Sequence, residues 1–226
     1  LLAALNARGT SIVREPTASR DHTEAMLQHF GATVRSHTDP DGTHVVELEG
    51  ETTLIAKDII VPRDPSSAAF PMVAALITTG SDLTIPTVGM NPLRTGLIQT
   101  LRDMGGSIEI TNQRVEGGEA VADLRVRHSQ LHGIDVPPAR AASMIDEYPI
   151  LAIAATQADG VTRILGGAEL RVTATDRLAV VADGIAAAGG DVAYDEYSMT
   201  VTGGKIPGGI TIGSQHHHRI AMSFLT

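Results

Sequence analysis

Five short stretches of this sequence concentrate groups able to handle charge or protons. Ser19-Arg20-Asp21-His22-Thr23-Glu24 sets four ionisable side chains and two hydroxyls at the start of an amphipathic run. A helix N-terminus favours anions, and Arg20 there could clamp a phosphate or carboxylate. The plainer alternative is a capping-box variant of Asp21 and Glu24, with Arg20 and His22 solvated. Ile145-Asp146-Glu147-Tyr148-Pro149 puts two carboxylates at the mouth of an apolar helix. In apolar surroundings one of them could serve as a general base with a raised pKa; both could equally be caps. Arg171 and Arg177 bracket the entrance to another helix, where they would suit an anionic ligand or form a solvated pair. Asp64-Pro65-Ser66-Ser67 reads as a capped helix start. His216-His217-His218-Arg219 invites a metal reading, but consecutive strand residues point to alternate faces and do not converge on one ion. Arg219 as an anion ligand is the better reading. The common thread is arginine or carboxylate at helix starts.

The elements that must position these groups repeat along the chain. Each copy has an apolar helix, a glycine turn, a β-branched strand, a second amphipathic helix closed by glycine, and further strands. The first copy shows a helix tail over Leu1 to Ala7, a strand over Ser11 to Val13 and a helix over Thr23 to Phe30. The second predicts a helix from Ser66 to Thr79, a strand from Leu83 to Ile85 and a helix from Pro92 to Met104. The third predicts a helix from Pro149 to Gln157, a strand from Val161 to Leu165 and a helix from Thr175 to Ala188. Closing glycines at 31, 105 and 189 supply the left-handed residue that a helix needs to stop. A fourth copy opens near His218. Alternation marks strands where Leu124 and Val126 intersperse with Arg125 and Arg127. Copies of this size are small α+β units sharing helices, and Val61-Pro62-Arg63-Asp64-Pro65 marks a boundary between them.

Composition narrows the function. The chain has 226 residues, no cysteine, 17 Lys+Arg against 26 Asp+Glu, and a formal net charge of −9. Disulfides, thiolate catalysis and cysteine zinc sites are excluded. A broad basic nucleic-acid surface is excluded too, whereas a local basic pocket for a small anion is not. The sequence contains no phosphate-binding P-loop, no dinucleotide glycine fingerprint and no His-Glu-x-x-His. No apolar run is long enough to span a membrane, so a cytoplasmic location is expected. The chain opens on Leu1 and both ends read as the middle of apolar helices, so a longer protein is expected.

Six stretches resemble one enzyme family in unbroken order: Ser19 to Glu24, Asp64 to Ser67, Met90 to Gly96, Ile145 to Pro149, Glu169 to Leu178, and His218 to Met222. The chain is similar to the 5-enolpyruvylshikimate-3-phosphate synthases, in their glyphosate-tolerant class II branch. That resemblance implies a two-lobed α+β fold of repeated βαβαββ units, a partial inside-out α/β barrel with about three units present. Residues 1–63 would end one lobe, and residues 64–226 would form most of the other. The implied reaction moves enolpyruvyl from phosphoenolpyruvate to the 5-hydroxyl of shikimate 3-phosphate, without metal or cofactor and without nucleic-acid or membrane partners.

Under the resemblance, Arg20 binds the phosphate of shikimate 3-phosphate. Asp146 binds the substrate hydroxyls and acts as the catalytic base, and Arg177 and Arg219 grip phosphoenolpyruvate. Thr173 and Ala174 stand where the family has lysine and glutamate, His217 where it has aspartate, and Arg63 where it has glycine. Several family substrate segments are missing, so a fragment is expected that needs the rest of the enzyme. Two alternatives remain: the sister transferase acting on UDP-N-acetylglucosamine, which usually carries a reactive cysteine, and a catalytically inactive binding relative.

Overall fold

In the computed structural model, which describes residues 1–16, 18–166, 177–204 and 206–226, the chain folds as three successive units. The first contains β1 (Thr10–Glu15), α1 (His22–His29), β2 (Val34–Thr38) and β3 (His44–Glu49). The second contains α2 (Pro65–Ile77), β4 (Asp82–Gly89), α3 (Gly96–Asp103), β5 (Ser107–Glu116) and β6 (Glu119–Arg127). The third contains β7 (Asp135–Val136), α4 (Tyr148–Thr156), β8 (Val161–Leu165), α5 (Arg177–Ala187), β9 (Asp191–Tyr194) and β10 (Ser198–Thr202). A further helix, α6 (His218–Leu225), follows.

All three sheets place the last strand of the unit between the two earlier ones: β1-β3-β2, β4-β6-β5 and β7-β8-β10-β9. The reason is legible in the residues. Val45, Val46 and Leu48 on β3, Val121, Leu124 and Val126 on β6, and Met199 and Val201 on β10 are the buried residues, and a central strand buries most. Arg125 and Arg127 alternate outward as predicted. β7 runs parallel to β8 across the α4 crossover, and a parallel bridge between Arg63 and Val88 repeats that relation across α2. The third unit is therefore a complete βαβαββ.

Helix ends repeat as well. Gly31, Gly105 and Gly189 all have φ near +90°, the left-handed conformation that costs glycine little. After α1, α3 and α5 alike, paired amide bonds close the last turn: Gly31 to Gln28 and Ala32 to Leu27, Gly105 to Arg102 and Gly106 to Leu101, Gly189 to Ala186 and Gly190 to Ile185.

Buried apolar side chains fall into two clusters. The smaller gathers Leu27, Ala32, Val34, Val46 and Leu48; the larger runs from Ala68 to Ile220 and centres on α2 and α4. Every residue of α4 is buried, as expected for a helix that is apolar all round. It packs against α2, α5 and α6, making it the pillar on which the second and third units meet.

Three local expectations are overturned. His216 to His218 form no strand: His216 lies in a turn, and His218 opens α6. The predicted helix from Pro92 to Met104 is broken: a 3-10 turn spans Pro92–Arg94, and α3 starts only at Gly96. At the break Gly96, lacking Cβ, lies so close to Ser143 and Met144 that a Cβ there would collide with both. Likewise the Asp21–Glu24 capping box does not form. Asp21 precedes α1 without a capping bond from its side chain, because that side chain is drawn away by Asn91.

Candidate active site

The site is built where α4 begins. A 3-10 turn, Ile145–Glu147, leads directly into α4, so two adjacent carboxylates stand at the end of a buried, rigid helix. Asp146 meets three arginines from three parts of the chain. Arg20, from the segment before α1, donates to Asp146 Oδ2 at 2.8 Å. Arg177, the first residue of α5, donates to Oδ1 at 3.3 Å. Arg219, in the first turn of α6, approaches Oδ2 at 3.6 Å. The four residues assigned from the sequence are thus gathered at one point, although Arg20 and Asp146 lie 126 positions apart.

Three guanidinium groups around one carboxylate leave a local excess of positive charge in a chain whose formal net charge is −9. Burial alone would push the Asp146 carboxyl up. The Arg20 hydrogen bond, the charges of Arg219 and Arg20, and the Arg177 hydrogen bond outweigh it and hold the group below the ordinary carboxylate value. An ionised Asp146 can only accept hydrogen bonds, which suits it to arginines or to a substrate's hydroxyls. Beside it, a cleft of about 580 Å³ opens where the three units meet, lined by Ser19 and Arg20 from the first, Leu93 from the second, and Ala139, Ser143 and Ile145 from the segment leading into α4.

Glu147 turns the other way. It is 5% exposed, and burial raises its pKa against a Ser66 hydrogen bond; the Asp146 charge pushes in the same upward direction. It touches a network whose sequence signature is only that of a helix cap. Asp64 caps α2 through the amides of Ser66 and Ser67, as expected. Arg94 joins Asp64 and Ser66 with 2.8 Å bonds to each. Arg94 carried no sequence signal beyond its place in the Met90 to Gly96 stretch.

His217 and His218 stack with ring centroids 5.5 Å apart. Burial, reinforced by the charges of Arg177, His218 and Arg219, depresses the His217 pKa. No cluster of three or more potential metal ligands exists among the described residues. Arg171, Thr173 and Ala174 lie outside the described residues. No helix among the described residues is long and apolar enough to cross a membrane.

Comparison with known proteins gives this geometry a family. The family model for EPSP synthase (3-phosphoshikimate 1-carboxyvinyltransferase) matches residues 1–226. A curated 3-phosphoshikimate 1-carboxyvinyltransferase from Granulibacter bethesdensis is 54% identical over 228 residues, covering 100% of this chain and 50% of its own length. One from Methylorubrum populi is 57% identical, with 100% and 51% covered. Among solved structures, EPSP synthase from Acinetobacter baumannii superposes with a TM-score of 0.92 at 44% identity, over 99% of this chain and 51% of that one. The enolpyruvyl transferase NikO from Streptomyces tendae shares the fold at a TM-score of 0.64 and 19% identity, over 89% of this chain and 44% of its own. The chain spans about half the length of the curated relatives it matches. Sequence, unit topology and superposition agree, and the chain belongs to the EPSP synthase family.

Proposed function

We propose that this chain supplies the arginine–carboxylate part of an enzyme that transfers enolpyruvyl from phosphoenolpyruvate to the 5-hydroxyl of shikimate 3-phosphate. The observation that carries the reading is the convergence of Arg20, Arg177 and Arg219 on Asp146. Two anionic substrates need concentrated positive charge, and a hydroxyl-bearing ring needs an acceptor beside it. Arg20 holds the phosphate of shikimate 3-phosphate. Arg177 and Arg219 hold phosphoenolpyruvate, and Asp146 binds the ring hydroxyls and takes the proton of the attacking 5-hydroxyl. The hydroxyl oxygen adds to C2 of phosphoenolpyruvate as a proton reaches C3. Phosphate then leaves as a proton departs from C3, regenerating the double bond. Residues 1–63 end one lobe and residues 64–226 form most of the other, with the remainder of the enzyme completing the substrate site.

Calorimetric titration of the 226-residue chain with shikimate 3-phosphate, alone and with phosphoenolpyruvate or glyphosate, tests this reading. Weak binding of shikimate 3-phosphate, tightened by the second ligand, is expected, with little or no turnover. Thr173 and Ala174, at positions where the family resemblance implies lysine and glutamate, favour a non-catalytic binding relative as the second reading. Restoring both in a full-length context separates the two: activity returns if those substitutions are the lesion.

A further inference from the structure

Arg20, Asp21 and His22 are consecutive, and each side chain reaches a different element of the two following units. Arg20 bonds to Asp146 before α4. Asp21 Oδ1 accepts from Asn91 Nδ2 ahead of the 3-10 turn. His22 Nδ1 stands 2.7 Å from Glu119 Oε1 at the start of β6. A carboxylate only accepts, so His22 carries its proton on Nδ1 toward Glu119.

Asn91 is held from both sides. It is 7% exposed, and its Oδ1 already accepts from the Leu93 amide at 2.9 Å, which leaves its amide nitrogen turned to Asp21. Beneath α1 the β5–β6 hairpin comes close: a Cβ on Gly118 would lie 3.1 Å from His29 Cβ and 3.2 Å from the Ala25 carbonyl oxygen. The seat is therefore tight. Asp21 stands at the N-cap of α1 yet forgoes the capping bonds that aspartate makes readily there. A residue that abandons its favoured local role for a partner 70 positions away marks a tertiary requirement that outweighed the local one.

We propose that Asp21 and His22, through Asn91 and Glu119, are positioning residues that seat α1 on the second unit so that the Arg20 guanidinium stands at Asp146, and that they thereby set the anion affinity of the arginine cluster. The effect on anion affinity rests on the reading of Arg20 as a phosphate ligand, whereas the seating of α1 does not.

The test follows the Asp146 side-chain carboxyl by carbon NMR across a pH titration of the 226-residue chain. The charged or titratable groups that act on Asp146 are Arg20, Arg177, Arg219, Glu147 and His217. Arg20→Ala sets the reference, an upward shift of the midpoint. Asp21→Ala and, independently, His22→Ala are expected to move it up by most of that amount. Asp21→Asn, which keeps the acceptor oxygen, is expected to stay near the parent. Added to Arg20→Ala, neither change should shift it further. Shikimate 3-phosphate affinity should fall roughly tenfold in Asp21→Ala and recover in Asp21→Asn.

An unmoved midpoint in Asp21→Ala and His22→Ala overturns the proposal. So does a shift that persists undiminished without Arg20, which would mean general loosening of the fold. Thermal melts identify a variant that fails to fold, and the second variant then decides. If shikimate 3-phosphate does not bind the parent chain, the phosphate-ligand reading fails, while the titration still decides the positioning role.

Discussion

Asp146 and Glu147, adjacent in the chain, occupy opposite electrostatic environments. Asp146 faces three arginines and is held below the ordinary carboxylate value; Glu147, one residue on, is buried beneath it and pushed above. The short 3-10 turn turns one outward and the other toward Ser66. Neighbouring carboxylates driven apart in this way can serve different purposes at one pH.

Stability should follow these two signs. Glu147 favours its protonated form in the fold, so its contribution is complete below its ordinary value and is lost as pH rises through the raised one. Asp146 contributes above its ordinary value and loses that contribution as pH falls through the lowered one. Glu147→Gln is expected to gain about 1 kcal/mol over the parent near pH ~8, with the gain fading toward pH ~4. Urea unfolding across that range checks it, and a gain that grows toward acid would refute the assignment.

Removing the Asp146 charge should separate simple anion binding from substrate recognition. Asp146→Asn frees the three arginines from their competitor, so inorganic phosphate should bind more tightly. Shikimate 3-phosphate loses its hydroxyl acceptor and should bind roughly tenfold more weakly. Parallel titrations with both ligands give the answer; changes in the same direction would count against Asp146 as a hydroxyl ligand.

Asp64 caps α2 and holds Arg94 at once. Asp64→Ala is expected to cost about 1–2 kcal/mol, lowering Tm by roughly 2–4 °C for each kcal/mol. Asp64→Asn should recover the capping share. Calorimetric melts of both variants suffice, and equal losses would show that capping contributes little.

Gly96 reverses the usual helix rule. An exposed helical glycine replaced by alanine gains up to about 1 kcal/mol from propensity. Here the new methyl would overlap Ser143 Oγ and come within 3.0 Å of Met144 Cβ, just before the turn that carries Asp146. Overpacking of this kind costs about 1–3 kcal/mol, so Gly96→Ala should destabilise and displace the Asp146 carbon resonance. A stabilised variant with an unchanged resonance would contradict this.

Much of the architecture lies in short-range chemistry. Gly31, Gly105 and Gly189 close their helices because no other residue enters the left-handed region so cheaply, and each was recognisable by its place after an amphipathic stripe. Leu178, Val181, Ala182 and Ile185 are buried along α5 because a 3.6-residue period leaves them on one face. The alternation on β6 and the Asp64 cap are local in the same sense. Arg20, Asp146, Arg177 and Arg219 were found as individual residues, three of them by their helix-entrance settings and all four by likeness to a family.

What the residues could not declare is which partner each polar group takes when several compete. Asp21 has the sequence of a helix cap but bonds to Asn91, because a folded contact 70 positions away supplies a donor that the local backbone does not outbid. Pro92 to Met104 has an unbroken apolar stripe but splits before Gly96, where the chain packs too closely on Ser143 and Met144 for any side chain. Asp146 and Glu147 have nearly the same intrinsic chemistry and part company only through burial and the approach of charges from distant segments. Propensity, period and capping act over a few residues, so the amino-acid sequence determined the units and their repetition. Desolvation and ion pairing act over a few ångströms of space, so only the tertiary structure decided how those units assemble their charges into one site.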